Sequence, residues 1–296
     1  MKVSRCLVAV ACLCWLAIPA LADPTVQDFS NPGATGTNYA EYPVGQPFAP
    51  YACSGCGPAS AFNFYRFTQS GVGGTQNQIA FDLTAPGPTG HVVANFDFRI
   101  GGTPVGTDHA DGLGLCLMRT DLFGKTGNGA SISEEGASNR GAGIGIGLDT
   151  YNNAAPYDIG NPNLPQSGSA ADHISVNMRY DGFTGGPTYD LVFALDLYSL
   201  TNNGYNLHQD NILDDTTPFD HCRFTVDFQA GGGALVNVFI TSAQGDSTGG
   251  VEFQALKDIL VPYIQAYEMR IGFGARTGGA TDTHDIANIN IQFSPP

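Results

Sequence analysis

The chain has 296 residues and is acidic, with 12 Lys and Arg against 27 Asp and Glu and a formal net charge of −15. Nucleic acid and anionic membrane surfaces are therefore poor partners, because phosphate contacts require clustered Lys and Arg. Only five of the acidic residues are Glu, and the abundant Asp prefers turns and strand ends to helix interiors. The composition favours a protein built of strands and loops.

The first 22 residues have the features of a signal peptide. Lys2 and Arg5 form a basic start, residues 6–18 are an apolar run, and Ala20-Leu21-Ala22 matches a small-x-small cleavage site. Cys12 leaves a lipoprotein signal as the weaker alternative. No later stretch reaches the roughly 18 apolar residues of a membrane helix. We expect a secreted, periplasmic or cell-surface product without membrane attachment after cleavage.

Residues 23–60 are rich in Pro, Gly, Ala and Thr and have no hydrophobic period. We expect an irregular N-terminal segment here, followed by one domain at 61–296. Cys53 and Cys56 lie within this segment, and in an exported chain their spacing favours a local disulfide or two spare thiols over a redox or metal motif. Cys116 and Cys222 lie in strand-like runs, where they are either bridged or simply buried.

From about residue 62 the pattern is that of β-strands. Apolar residues occupy the even positions from Val92 to Ile100, which is the period of a half-buried strand. Turn-forming clusters separate further predicted strands at about 112–118, 143–150, 173–180, 189–198, 221–228, 235–241, 269–275 and 287–293. Only 252–261 has a helical pattern, which Pro262 ends. The sequence predicts an all-β sandwich or jelly roll of two antiparallel sheets.

The motif Asp149-Thr150-Tyr151-Asn152-Asn153 follows a predicted strand. Alternate residues of an extended segment face the same way, so Asp149, Tyr151 and Asn153 can direct oxygen atoms to one point. Calcium prefers such oxygen ligands, and a further donor can come from the following loop, at Asp158, Asn161 or Asp172. The alternative is an ordinary strand end that runs into a turn.

A second motif, Ala110-Asp111-Gly112, precedes the apolar run 113–118. Asp111 is therefore expected at the start of a strand, where a carboxylate can accept hydrogen bonds from sugar hydroxyls. Gly112 allows close approach of a ligand or a loop. The alternative is a solvated turn aspartate.

These two motifs occur in order with His173-Ile174-Ser175-Val176, residues 270–279 (RIGFGARTGG) and His284-Asp285-Ile286. Over roughly residues 60–293 the chain resembles the L-type (legume-lectin-like) lectins, especially their bacterial exported relatives. The resemblance implies a concanavalin A-like jelly roll and a non-catalytic protein that binds a glycan or polysaccharide.

The resemblance also implies roles for single residues. Asp111, after a cis peptide bond, and Gly112 would bind the sugar, and the loop Thr277-Gly278-Gly279-Ala280 would form a variable specificity wall. The predicted calcium site would consist of Asp149, the Tyr151 carbonyl and Asn153, with Asn153 also donating to the sugar.

Two departures from the family pattern concern metals. Gly147 stands where plant members have a glutamate for a second, transition metal. No transition metal is therefore expected, and His173 is expected to be a structural strand histidine. The last calcium ligand of the family, an aspartate, is matched by Asn161, so either Asn161 substitutes for it or Asp158 takes its place. Calcium binding would then be weak or absent.

Two other classes of protein compete with a lectin. One is a glycosidase or polysaccharide lyase on the same jelly roll, and the other is an adhesive surface protein without a working sugar site. Retaining glycosidases need two carboxylates about 5–5.5 Å apart. No paired-carboxylate motif of this kind occurs in the sequence, and Glu134-Glu135 lies in a glycine-rich loop. The only tryptophan, Trp15, leaves with the signal, so a pocket for a sugar end is expected rather than a flat aromatic platform. The sequence leaves open whether the protein forms a homo-oligomer.

Overall fold

The computed structural model describes residues 22–31, 36–44, 48–56, 62–102, 109–137, 143–153, 169–180, 189–196, 198–209, 217–242 and 250–296. The predicted signal peptide lies almost wholly outside these ranges. Within them the chain is nearly all β, as the sequence predicts. No helix in these ranges is long and apolar enough to cross a membrane.

The elements follow one another in short steps along the chain. The two helices in the described ranges are α1 (Thr120–Phe123) and α2 (Tyr198–Asn202). The strands are β1 (Thr25–Gln27), β2 (Tyr39–Val44), β3 (Tyr51–Cys56), β4 (Phe62–Thr68), β5 (Gln76–Phe81), β6 (His91–Gly101), β7 (Gly112–Arg119), β8 (Ile132–Ser133), β9 (Gly136–Ala137), β10 (Gly143–Asn152), β11 (Ser169–Tyr180), β12 (Tyr189–Asp196), β13 (His208–Gln209), β14 (Asp220–Phe228), β15 (Ala234–Thr241), β16 (Phe253–Val261), β17 (Met269–Arg276) and β18 (Thr283–Ser294).

Two large sheets form a jelly-roll sandwich. The front sheet has the strand order β12-β11-β10-β7-β17-β5-β2, and the back sheet has the order β16-β15-β14-β6-β18-β4-β3, with β1 beside β18 and β13 beside β6. Within the described residues, the strand pairs are antiparallel except β13 with β6. The predicted face of β6, from Val92 to Ile100, is fully buried between the sheets. There Phe96 meets Phe273 of the front sheet edge to face, with ring centroids 5.1 Å apart.

The N-terminal segment differs from the prediction. Within 23–60, β1 pairs with β18, β2 with β5 and β3 with β4. The described parts of this segment therefore add strands to both sheets and are not irregular. Strand β2 lies at a sheet edge, and its residues Glu41, Tyr42 and Pro43 are exposed, so no alternating pattern marks it in the sequence.

The predicted helix at 252–261 is wrong, because these residues form β16. Its pairing with β15 shifts register twice, and Asp258 has a φ of 51°. Each irregularity moves the following side chains to the other face. The apolar residues Leu256, Ile259 and Leu260 consequently lose the period of two and imitate a helix.

The four cysteines outside the signal take two forms. Cys53 and Cys56 make the local disulfide that was one of the two expected outcomes. Cys116 and Cys222 are buried thiols, so they are not bridged.

The outer face of the front sheet is lined with glycine. On β7, β10 and β17, apolar residues point into the core and alternate with glycine on the outer face. The register places Gly147, Gly114 and Gly274 side by side in one row. In the next row Gly145 and Gly272 flank Cys116. In these two rows, three adjacent strands present no side chain larger than that of cysteine.

A short hairpin, residues 132–137, lies directly on these glycines. A Cβ atom built at Gly274 would lie 2.8 Å from the carbonyl carbon of Ile132, and one at Gly114 would lie 2.7 Å from the Cα of Gly136. Gln78 of β5 fixes the hairpin, since its Oε1 accepts from the Ile132 N–H at 2.7 Å. The turn of the hairpin carries Glu134 and Glu135 onto the sheet.

Replacing Gly274 with alanine should weaken the fold, because the new methyl group meets hairpin backbone that cannot turn away. Overpacking of this kind costs about 1–3 kcal/mol, measured as the free energy of unfolding in urea. Gly231→Ala is the matched control, since a Cβ at Gly231 meets nothing within 4 Å. Equal stability of the two variants would show that the hairpin does not press on the sheet.

The buried imidazole of His284 should make stability depend on pH. Burial, aided by the nearby charge of His208, lowers the pKa of His284 to about 3, whereas an unfolded histidine has its pKa near 6.5. The unfolded chain therefore takes up the proton first. His284 therefore leaves the free energy of unfolding unchanged above pH 6.5. Below pH 6.5 it lowers this free energy by about 1.4 kcal/mol per pH unit.

Urea unfolding at pH 7.5 and pH 5.5 measures this effect. The loss between the two pH values should be smaller in His284→Gln than in the wild type. The same loss in both proteins would mean that His284 does not carry it.

Candidate functional site

A pocket of about 820 Å³ opens at one end of the front sheet, where four segments meet. It is lined by residues 74–76, Ala110, Asp111, Tyr151, Asn153 and residues 276–280. The predicted sugar-binding residues Asp111 and Asn153 thus come together with the predicted specificity loop at Thr277, Gly278 and Gly279. Gly112 does not line the pocket: it packs on β10, where a Cβ would lie 2.8 Å from the Cα of Asp149.

One row of outward-facing residues crosses the front sheet below this pocket. The strand register aligns its members in the order His173, Asp149, Gly112, Arg276 and Gln76. Because directly opposed residues of neighbouring strands point to the same face, this row places one histidine, one carboxylate and one guanidinium on the outer surface. The hairpin turn 134–135 adds two more carboxylates above the row.

Asp111 is held from several directions at the wall of the pocket. The peptide bond before it is cis, as the resemblance implies. Its backbone N–H donates to the Arg276 carbonyl at 3.0 Å, and its carbonyl accepts from the Thr150 N–H at 2.8 Å. The residue is 2% exposed, and its Oδ2 accepts from Arg276 Nε at 3.0 Å. Burial raises the pKa of Asp111, and Arg276 opposes that rise.

Glu134 is the second carboxylate that pairs with Arg276, and with Asp111 these residues form one ion-pair group. Its Oε1 lies 2.6 Å from Arg276 Nη2 and 3.5 Å from the amide nitrogen of Asn153. The side chain is completely buried, and burial raises the pKa of Glu134 to about 7, against the effect of Arg276. One guanidinium therefore lies between two buried carboxylates.

A second cluster lies on the β11 side of the hairpin. His173 Nε2 is 3.2 Å from Glu135 Oε1 and 3.7 Å from Asp149 Oδ2, and the candidate ligand atoms of these three residues lie within 4.8 Å of one another. Ser175 donates to Glu135 Oε2, and Asn177 Nδ2 donates to the same oxygen at 3.3 Å. Two carboxylates and one imidazole are a mixed ligand set that suits a transition ion or zinc better than calcium.

This cluster lies directly above Gly147. The sequence has no glutamate there, but a Cβ at Gly147 would lie only 2.7 Å from Glu135 Oε2. The hairpin thus places the carboxylate of Glu135 above this glycine. His173 accordingly faces two carboxylates, so the absence of a glutamate at position 147 does not argue against a metal at this place.

The predicted calcium ligands lie only partly within the described residues. Asp149 Oδ1 accepts from the Tyr151 N–H at 2.7 Å, and the Asn153 amide is 3.5 Å from the Tyr151 carbonyl. These three residues therefore lie close together, as the motif predicts, and offer the oxygen donors that calcium prefers. Asp158 and Asn161 fall outside the described residues. Asp172, a further candidate, accepts instead from the His208 N–H at 3.2 Å.

Comparisons with known proteins identify the fold. No protein-family model and no curated protein matches the chain. The exoplasmic/lumenal domain of VIP36 in its Ca²⁺/mannose-bound form matches with a TM-score of 0.55 and 15% identity, over 90% of this chain and 88% of that domain. Its Ca²⁺/Man2-bound form gives 0.53 and 16%, over 91% and 86%. Peanut lectin with a nine-residue peptide gives 0.51 and 14%, over 92% and 98%.

The fold is that of the legume lectins. At these identities the similarity establishes the fold alone. The concanavalin A-like jelly roll predicted from the sequence is confirmed. A place in the bacterial exported branch stays a prediction.

Three charged residues at or beside the pocket were not predicted as site residues from the sequence: Glu134, Glu135 and Arg276. Sequence features that could have indicated them were nevertheless present. The two glutamates are consecutive in a chain with only five, and Arg276 continues the outward-facing positions of Gly272 and Gly274 along β17. What the sequence did not show is that the hairpin folds onto the glycine rows and brings all three together.

Glu135→Gln should weaken the response of the protein to divalent transition ions. Excess Mn²⁺ or Zn²⁺ is expected to raise the melting temperature of the wild type, because a ligand of the folded state stabilises it. Glutamine keeps the size of the side chain but removes one anionic ligand. The control is Glu252→Gln, a surface glutamate paired with Arg223. Equal metal-induced shifts in all three proteins would exclude Glu135 as a ligand.

Proposed function

We propose that this protein is an exported, non-catalytic lectin that binds the end of a glycan in the pocket beside Asp111. The observation that carries the proposal is an anionic hydrogen-bond acceptor, fixed by a guanidinium, in a pocket of ligand size. Hydrogen bonds to a carboxylate are stronger than those between neutral groups, and sugar hydroxyls are well suited to donate them. The pocket volume of about 820 Å³ falls in the range typical of small-molecule sites.

The other walls of the pocket fit the same interpretation. Asn153 offers an amide beside Asp111, and Tyr151 adds an aromatic side chain against which a sugar ring can pack. Gly278 places backbone near the carboxylate, since a Cβ there would lie 3.5 Å from Asp111 Oδ2. Thr277, Gly278 and Gly279 would then determine which sugars fit, because any side chain in this loop would enlarge the wall.

Calcium would support the Asn153 side of the pocket. Asp149, the Tyr151 carbonyl and Asn153 would hold the ion, with Asp158 or Asn161 as the remaining protein ligand. Calcium-bound forms of VIP36 are among the structures of the same fold, which supports the proposal. A bound ion would fix the turn after β10 and orient Asn153 toward the sugar.

The positions of the Asp111 and Glu134 carboxylates favour sugar binding over glycoside hydrolysis. A glycosidase needs both of its carboxyl groups at the scissile bond. Glu134 has no exposed surface and does not line the pocket, and Arg276 lies between it and Asp111. Glu134 therefore has no path to a substrate. The structures of the same fold named above are likewise lectins, which fits a non-catalytic role.

A glycan array with the mature protein, with and without a calcium chelator, tests the function. Asp111→Asn should lower the affinity for the selected glycan about 10- to 100-fold, which corresponds to losing a hydrogen bond to a charged group. Asp121→Asn is the control, because Asp121 also pairs with an arginine, Arg119, but on the surface.

Two results would contradict the proposal. Unchanged affinity in Asp111→Asn would place the binding site elsewhere. Release of products from a polysaccharide, together with no binding on the array, would favour the enzyme that the same jelly roll can support.

A further inference from the structure

Among the described residues, Arg276 contacts both a carboxylate at the pocket wall and a carboxylate behind it. It ends β17, and its guanidinium reaches Asp111 with Nε at 3.0 Å and Glu134 with Nη2 at 2.6 Å. Its side chain is 23% exposed and lines the pocket. Arg276 is thus placed between a buried anion at the pocket wall and a buried anion behind it.

Burial makes this cation necessary. Asp111 is 2% exposed and Glu134 has no exposed surface, and isolated carboxylates in such positions would be strongly destabilising. Burial by itself would lower the pKa of Arg276, but the carboxylates of Glu134, Asp111 and Asp149 outweigh it and raise that pKa. The planar guanidinium is suited to the task, because it presents several donors in fixed directions.

The same group extends to Asn153. Glu134 Oε1, which Arg276 binds, also lies 3.5 Å from the Asn153 amide nitrogen. The order Asp111, Arg276, Glu134, Asn153 therefore connects both side chains that we assign to the sugar. In addition, the Arg276 carbonyl accepts from the Asp111 N–H at 3.0 Å, so β17 holds the backbone of Asp111 as well as its carboxylate.

We infer that Arg276 is a positioning residue, an internal cation that orients Asp111 directly and Asn153 through Glu134, so that the pocket binds glycan without a metal ion. This inference rests on the proposed function. Calcium at Asp149, Tyr151 and Asn153 then adds affinity but is not required. Arg276 has the advantage of being covalently part of the chain, and its charge does not depend on the calcium concentration outside the cell.

The first test compares the wild type with Arg276→Gln, using the glycan selected on the array, in calcium and in chelator. The wild type should keep its affinity in chelator within about tenfold, the range expected for the loss of one supporting interaction. Arg276→Gln should lose more than that in both buffers, and added calcium should not restore it. The surface variant Arg119→Gln is the control and should bind as the wild type does.

Two further variants separate positioning from folding and from direct contact. Arg276→Lys keeps the positive charge and should recover most of the melting temperature, but not the affinity, because an ammonium cannot bridge both carboxylates in the same geometry. If Arg276 acts through Glu134, the losses of affinity in Arg276→Gln and Glu134→Gln should not add in the double variant. A direct contact between Arg276 and the sugar predicts that they add.

The outcomes distinguish the two proposals. Wild-type binding that the chelator abolishes would overturn the inference and leave the lectin intact, as would full affinity in Arg276→Gln or additive losses in the double variant. No glycan binding by the wild type in either buffer would overturn the proposed function and the inference with it.

Discussion

The structure of the site depends on the close contact between the 132–137 hairpin and the glycine rows of the front sheet. Side chains at Gly114, Gly147 or Gly274 would occupy the space of hairpin atoms less than 3 Å away. Their absence lets a two-residue turn lie on the sheet and present Glu134 to one side and Glu135 to the other. The positions of both glutamates therefore result from a packing constraint that does not involve their charge.

The molecule balances its buried charges in two opposite ways. In the back sheet one carboxylate, Asp285, is bound by two guanidinium groups, with Arg66 at 2.8 Å and Arg99 at 2.6 Å. At the front sheet one guanidinium, Arg276, is shared by two carboxylates. The first group is buried and holds β4, β6 and β18 together. The second group borders a pocket.

Sequence patterns predicted the parts of the fold in which burial is regular. The alternation from Val92 to Ile100 correctly gave β6, since every second residue there is buried. The pattern was not informative where pairing is short, as in β1, or where bulges shift the register, as in β16. Asp111 and Asn153, which line the pocket, could be proposed from the sequence because their motifs are local. Glu134 and Glu135 could not be predicted in this way, because their positions depend on a long-range contact whose sequence signal is the alternation of glycines.

The consecutive positions of Glu134 and Glu135 have a consequence for binding equilibria. One glutamate belongs to the ion-pair group at the pocket and the other to the cluster with Asp149 and His173, and a single turn holds both. A ligand that shifts this turn on one side shifts it on the other. For the proposed glycan, thermodynamic linkage then requires reciprocity: whatever factor a cation bound at the cluster would add to glycan affinity, the glycan would add to the affinity for that cation.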